Sequence, residues 1–288
     1  RTSQSMVWQQ YSTPLPIAFV AASLARIDET TSVFDATAGN GALLITTAAE
    51  HAIANEIDPQ RVAELKKQGL ASVNQFNALD EVQTWISDAL VEVVLLNPPF
   101  GKGKTPNGKN ITSQDKQIAL HALQAMQPDG RAVLILASEN ERLTPEYRSD
   151  AYNELENRRF YKQLYDRYNV VEHLTLSGDL YRKQGCGYPI DLIVIEGQGQ
   201  SQRALPAAQL PHIIKTYKEL RSYLEQVAEH GFVEPEVLVG ERTRQRVKDD
   251  ATQRLMDVLR SPLQLMHLRF ETAQALLSRI DGLEPAIT

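Results

Sequence analysis

The residues best suited to chemistry are Asn97, Pro98, Pro99 and Phe100, which follow directly on the apolar run of residues 91–96. A run of that kind reads as a buried strand, so the four residues stand at a strand end. Proline fixes φ and has no N–H, which makes the segment stiff and leaves its carbonyls free to accept hydrogen bonds. The Asn97 amide oxygen and the Pro98 carbonyl can then converge on one NH2 group while Phe100 offers a flat face to a planar ring. That is chemistry on an amine. A plain polyproline-type turn whose Phe packs into the core is the competing reading of the same four residues.

Upstream, a strand-like run at residues 31–34 leads into Asp35-Ala36-Thr37-Ala38-Gly39-Asn40-Gly41, and a helical pattern is expected from Leu43 to Ala49. Strand, glycine turn and helix in that order suit a nucleotide-type cofactor, because Gly39 and Gly41 let the backbone approach a ligand closely. Leu44 stands where a full dinucleotide fingerprint has its third glycine, and a plain connection remains the alternative. A second strand ends at Glu56, roughly 20 residues beyond the first, the spacing at which such folds bind ribose hydroxyls. A solvated strand-end acid is its competing reading. Asp58-Pro59 reads as the cap of the next helix. A third strand over residues 71–76 leads to Asn77 and Ala78, so successive strand ends carry polar groups.

Together these stretches resemble the amino-methylating S-adenosylmethionine-dependent methyltransferases, most closely the DNA adenine-N6 group whose cofactor motifs precede the catalytic motif. The resemblance runs from Tyr11 to Gly197 and extends to methyltransferase domains within larger phage and plasmid proteins. It implies S-adenosyl-L-methionine as cofactor, held by Tyr11 and Thr13 of an N-terminal motif, Asp35, Ala36, Thr37, Gly39 and Gly41 of the glycine loop, Glu56 with Ile57, and Asn77 with Ala78. It implies Asn97, Pro98, Pro99 and Phe100 as the catalytic tetrapeptide acting on an adenine flipped out of DNA, with Tyr181 or Tyr188 as a second aromatic wall. Core or loop packing is the alternative for both tyrosines. Gly185 to Pro189, ahead of the apolar residues 190–195, resembles the late hairpin of the family. Ala36 replaces a usual Pro and Asn77 a usual Asp, and Asn77 offers the adenine amine a weaker acceptor than a carboxylate does.

The elements that must position these groups alternate strand and helix through a fifth strand at residues 131–137, the signature of a parallel sheet covered by helices. The expected architecture is α/β: a Rossmann-like methyltransferase fold with a mostly parallel seven-stranded sheet, closed by an antiparallel hairpin of residues 170–176 and 190–195. Residues 1–197 are expected to form the methyltransferase domain. Residues 198–288 form a helical extension, with helices over 213–230, 249–259 and 263–280, reached through a Gly/Gln linker. An aromatic and basic helix spans residues 147–168, read as packing on the sheet rather than as a nucleic-acid surface. A polar loop after Phe100 carries Lys102 and Lys104, suited to closing over a phosphate backbone, with a plain solvated loop as the alternative.

The net charge is −6 and the pI about 5.6, so DNA contact must rest on a local patch. One cysteine allows no intramolecular disulfide, and six scattered histidines give no metal-ligand spacing, so no metal is expected. With no apolar run near the roughly 20 residues that span a bilayer, a cytoplasmic protein without membrane contact is expected. Arg1 in first place suggests a piece of a longer polypeptide, with further domains or subunits supplying target recognition. RNA-base or protein-glutamine methylation, and a catalytically silent cofactor-fold module, are the alternative functions.

Overall fold

The computed structural model describes residues 13–79, 90–101, 103–104, 110–111, 113–138, 144–182 and 187–232, the two short pairs 103–104 and 110–111 by backbone alone. Residues up to Leu220 form one compact unit, and Arg221 begins a second.

The centre of the sheet is built on short, largely apolar strands. β1 (Val33–Asp35) is buried throughout and lies parallel between β2 (Ala52–Asn55) and β4 (Val91–Leu96). β3 (Ser72–Asn74) flanks β2, and β7 (Met126–Ala137) flanks β4, both parallel. Strands covered on both faces need near-continuous apolar runs rather than alternation, which residues 91–96 and 131–137 supply. β8 (Tyr168–Leu176) and β9 (Ile190–Gln198) close the sheet, β9 antiparallel to both β7 and β8. β10 (His212–Ile214) adds parallel to β8, giving the order β10-β8-β9-β7-β4-β1-β2-β3. β5 (Gly103–Lys104) and β6 (Asn110–Ile111) form a separate antiparallel pair just beyond Phe100.

The helices are α1 (Leu15–Leu24), α2 (Pro59–Lys67), α3 (Gln114–Ala122), α4 (Pro145–Asn153), α5 (Leu155–Arg167) and α6 (Tyr217–His230). α2 begins where Asp58 accepts from the Gln60 and Arg61 amides at 2.8 and 3.4 Å, with Pro59 in the first turn, where its missing N–H costs nothing. No helix among the described residues is long and apolar enough to cross a membrane.

Four expectations are corrected. The sheet has eight strands rather than seven, because the β-branched pair Ile213-Ile214, expected to be helical, pairs with β8 instead. The sheet therefore continues beyond the boundary expected at Gly197, which itself falls inside β9. The helix expected after the glycine loop is broken into two 3-10 turns, Ala42–Leu44 and Ala49–His51. Ile45, Thr46 and Thr47 are consecutive β-branched residues that resist helix, and Ala48 turns extended at ψ 134°. The helix expected over residues 147–168 is two, broken at Glu154 where ψ reaches 142°. Their aromatic residues Tyr152, Phe160, Tyr161 and Tyr165 are core, in keeping with packing on the sheet. The helices expected within residues 249–280 lie outside the described residues.

The tyrosines of α4 and α5 meet a polar knot in that core. Asp191 of β9, fully buried, accepts from the hydroxyls of Tyr152 at 3.0 Å, Tyr161 at 2.9 Å and Thr175 at 2.9 Å, and lies 3.3 Å from His173 Nε2. Tyr165 bonds the other nitrogen of His173 at 2.8 Å. Burial pushes the Asp191 carboxyl up, but the His173 imidazole and the hydroxyl donors outweigh it and hold it below the ordinary carboxylate range. Burial, with Asp191 beside them, pushes the Tyr152 and Tyr161 hydroxyls well above their ordinary range, so both remain donors. A depressed carboxyl contributes stability that is present above its unfolded pKa, about 3.9, and is lost as the pH falls through the folded value. Asp191→Ala, which strands these donors, is expected to cost about 3–5 kcal/mol in urea unfolding at neutral pH, and the gap from wild type should shrink in acid.

Candidate active site

The candidate residues gather at the carboxyl ends of β1, β2 and β4, adjacent strands of the parallel ladder. In open α/β sheets this edge is where ligands bind, because the chain leaves the sheet there in loops rather than ladder bonds.

Asp35 ends β1 and is buried; its Oδ1 accepts from the Thr37 amide at 2.9 Å, turning the chain sharply into the loop. Gly39 and Gly41 adopt φ of 59° and 83°, left-handed values that a side chain resists. The loop is pinned onto β2 by Ala38 N donating to Asn55 O at 2.9 Å and Gly39 N donating to Glu56 Oε2 at 2.8 Å. The other Glu56 oxygen accepts from the Asp58 amide at 2.8 Å. Glu56 thus holds the loop with one oxygen and the start of α2 with the other, and each oxygen keeps a lone pair for a further donor. Ala36 and Ala78 are buried beneath this edge. The Thr37 hydroxyl is buried and makes no hydrogen bond.

Burial pushes the Asp35 carboxyl up to about 7; the Thr37 amide opposes the shift and the nearby Glu56 charge adds to it. Burial also pushes the Glu56 carboxyl up, against the Asp58 amide and the Arg61 guanidinium. Two carboxylates that burial penalises share one loop, an arrangement that a cationic ligand relieves.

Ile57, expected in the site, is 45% exposed, and Phe76 beyond β3 is 41% exposed. The two lie just beyond the ends of β2 and β3, where large, partly exposed apolar side chains suit contact with a flat ring. Asn77, expected to meet the cofactor adenine, turns its Oδ1 inward to the Leu79 amide at 3.1 Å. Sequence reasoning missed Phe76 and Asn55. The Asn55 side chain donates to Ala36 O at 2.9 Å and Phe76 O at 3.1 Å and accepts from Phe76 N at 2.9 Å, tying the exits of β1 and β3 to β2. The only sequence signal for Asn55 is an amide at the last position of an apolar strand.

Asn97 leaves β4 half-buried, and Pro98, without an N–H, ends the ladder there. The Asn97 Nδ2 donates to Thr13 Oγ1 at 2.7 Å. Its Oδ1 is buried and has no hydrogen-bond partner. Pro99 and Phe100 are half-buried. Beyond them, Gly101 O accepts from Gln114 N at 2.9 Å, docking α3 on the end of the tetrapeptide.

Of the two expected aromatic walls, Tyr181 is fully buried, whereas Tyr188 is 60% exposed. Tyr181 therefore presents no open face in this structure. Tyr188 follows Gly187, whose carbonyl lies 2.1 Å from where a Cβ on Gly178 would stand, so only glycine at 178 lets the two turns approach this closely. Tyr11 and Lys102 lie outside the described residues, and of Lys104 only the backbone in β5 is described. No group of three His, Cys, Asp or Glu side chains able to hold a metal occurs among the described residues.

The strand order, with the antiparallel β9 set between β7 and β8, defines a Rossmann-like methyltransferase fold. Among solved structures, the chain is similar to a protein from Vibrio vulnificus YJ016 assigned as a modification subunit of a type I restriction enzyme, at TM-score 0.57 and 14% identity over 77% of this chain and 53% of that one. It is similar to the EcoKI M protein of a type I restriction enzyme, at TM-score 0.54 and 16% identity over 78% and 55%. It is also similar to a protein from Listeria monocytogenes assigned as a class I S-adenosylmethionine-dependent methyltransferase, at TM-score 0.54 and 13% identity over 77% and 72%. The chain thus spans about half the length of the two restriction-enzyme subunits. No family model and no curated protein sequence matches it.

The Asp35 carboxyl makes a measurable prediction. With its folded pKa raised above the unfolded value of about 3.9, the stability it contributes is full below that value and is lost as the pH rises through about 7. Asp35→Asn removes this dependence. Urea midpoints should show wild type less stable relative to the Asn variant at about pH 8 than at about pH 4.

Proposed function

We propose that the chain is an S-adenosylmethionine-dependent methyltransferase that modifies the exocyclic N6 amine of adenine in DNA. The observation that carries this reading is the Asn97 Oδ1: a buried acceptor with no partner, at the start of a rigid Pro-Pro segment on the open edge of the sheet. A buried acceptor left unpaired is costly, and a substrate N–H compensates it. The Pro98 carbonyl stands next to it in the chain as a second acceptor for the same NH2.

The neighbouring loop fits the cofactor. Asp35 and Glu56 suit a ligand carrying positive charge and ribose hydroxyls, Gly39 and Gly41 admit it close to the backbone, and Ile57 and Phe76 expose apolar surface near it that suits its adenine. When bound, the cofactor supplies an electrophilic methyl group on a sulfonium. The chain's own part is positioning. An aryl amine is a poor nucleophile because its lone pair is delocalised into the ring. Two acceptors, Asn97 Oδ1 and Pro98 O, draw on its N–H groups and localise that pair on nitrogen. Orientation of this kind contributes up to roughly 7–11 kcal/mol in well-aligned systems, and the proline pair holds the acceptors in place while Phe100 stacks on the base. With the cofactor bound, one N–C bond would form at N6 as the methyl's bond to sulfur breaks, the electron pair staying on sulfur to give a neutral thioether, and one amine proton would leave to water. A base inside a duplex cannot reach the site, so it enters flipped out, at a cost of a few kcal/mol. Tyr188, exposed beside the closing hairpin, is the open candidate for its second face.

DNA is favoured as substrate because two of the similar structures are described as subunits of type I restriction enzymes. As the chain spans about half of either, other domains or subunits supply target recognition in this reading. The test is tritiated methyl transfer to unmethylated DNA, with RNA and a glutamine-bearing protein in parallel, followed by nucleoside and amino-acid analysis. Label is expected in N6-methyladenine from DNA, with Asn97→Ala slower by at least about 100-fold. Label confined to RNA or to glutamine would overturn the DNA assignment, and cofactor binding with no transfer to any acceptor would overturn the enzymatic one.

A further inference from the structure

The Asn97 carboxamide has two ends, and only one is useful to an amine. The oxygen accepts an N–H from the substrate, whereas the NH2 would meet the substrate's own donors head on. Rotation by half a turn about the last side-chain bond exchanges them at almost no cost in shape. Something must therefore choose the rotamer.

We infer that Thr13, together with the buried spot on the far side of the amide, makes this choice, and that Thr13 is a positioning residue for amine transfer, an inference that rests on the reading of Asn97 given above. The Thr13 hydroxyl oxygen accepts from Asn97 Nδ2 at 2.7 Å across 84 positions of sequence. Thr13 is buried, and the residue after it is anchored: Pro14 O accepts from Ile17 N at 2.9 Å and Ala18 N at 3.0 Å, opening α1. α1 in turn buries Ile17, Ala18, Val20, Ala21, Ala22 and Leu24. The hydroxyl is thus set by a packed helix, while Asn97 is set by β4 and the prolines after it. With Nδ2 engaged, the Oδ1 branch of the planar amide is directed away from Thr13, where it is buried and unpaired.

A threonine hydroxyl can also donate, so Thr13 fixes the plane of the amide and accepts from one end, while the buried spot at the other end adds to the choice: a flipped amide would leave two unpaired donors where one unpaired oxygen now stands. The pair Thr13 and Asn97 therefore stores the acceptor orientation before substrate arrives, which is preorganisation rather than binding. The resemblance noted from sequence assigns Thr13 to the cofactor; the geometry points to the amine side instead.

Three variants of the full chain separate these roles: Thr13→Val, which keeps the shape and loses the acceptor, Thr13→Ala as a second deletion, and Thr13→Ser, which keeps the hydroxyl. The first readout is the Asn97 side-chain NH2 resonance in isotope-labelled protein, identified by its loss in Asn97→Ala. It should exchange slowly with solvent in wild type and Thr13→Ser and rapidly in Thr13→Val and Thr13→Ala. The second is the split between cofactor Kd and kcat: Val and Ala variants should keep cofactor affinity within about two-fold and lose about 10- to 100-fold in kcat, with Ser restoring most of it. An NH2 resonance unchanged by Thr13→Val and Thr13→Ala overturns the inference, as does a loss confined to cofactor affinity. A wild type that locks the amide yet transfers no methyl group sinks the proposed function while the Thr13 lock stands.

Discussion

One amide, that of Asn55, ties together the carboxyl edge of the sheet at β1, β2 and β3. Parallel strands are bonded along their length, but where they end nothing in the ladder prevents neighbouring exits from fraying. Asn55 closes three of these exits at once, using both of its donors on Ala36 O and Phe76 O and its oxygen on Phe76 N. In a buried setting such a satisfied amide is stiff, because releasing any one bond leaves a polar group without water. The glycine loop then has a fixed point of departure and a fixed landing on β2 through Ala38 and Gly39, which brings Asp35 and Glu56 to the same side.

The chain contains two kinds of buried carboxylate, and the contrast is informative. Asp191 is surrounded by hydroxyls and an imidazole that overcome burial and keep it ionised. Asp35 is met by a backbone amide alone and Glu56 by backbone amides and the nearby Arg61 charge, and burial wins in both. A structural carboxylate is satisfied by its own protein, whereas these two gain most from a ligand that brings positive charge or hydroxyl donors. At the carboxyl edge of the sheet the Asn97 oxygen and the Thr37 hydroxyl are also left over.

Much of the positioning was legible in the chain because it follows from local rules. Asp58-Pro59 starts a helix through cap geometry alone, and residues 91–96 could only be a covered strand. The errors arose where a local preference met a tertiary demand. The Leu43 to Ala49 segment has a helical look, but its β-branched centre and the extended turn at Ala48 break it into two separate 3-10 turns, Ala42–Leu44 and Ala49–His51, before β2. Ile213-Ile214 could have continued a helix, yet the free edge of β8 offered ladder bonds that a helix end could not match.

By itself, then, the sequence determined which groups exist and in what order: an amide before two prolines, an acid and glycines after a first strand, a second acid after the next. Periodicity and turn chemistry act over a few residues, so they specify strands, caps and rigid turns without knowing what lies opposite. Only the tertiary structure decided which groups meet. It brought Thr13 to Asn97, gave Glu56 to the Gly39 amide, enclosed Tyr181 and left Tyr188 largely exposed to solvent. Those outcomes depend on how short parallel strands stack side by side, and contacts between residues far apart in sequence leave no local pattern from which they could be read.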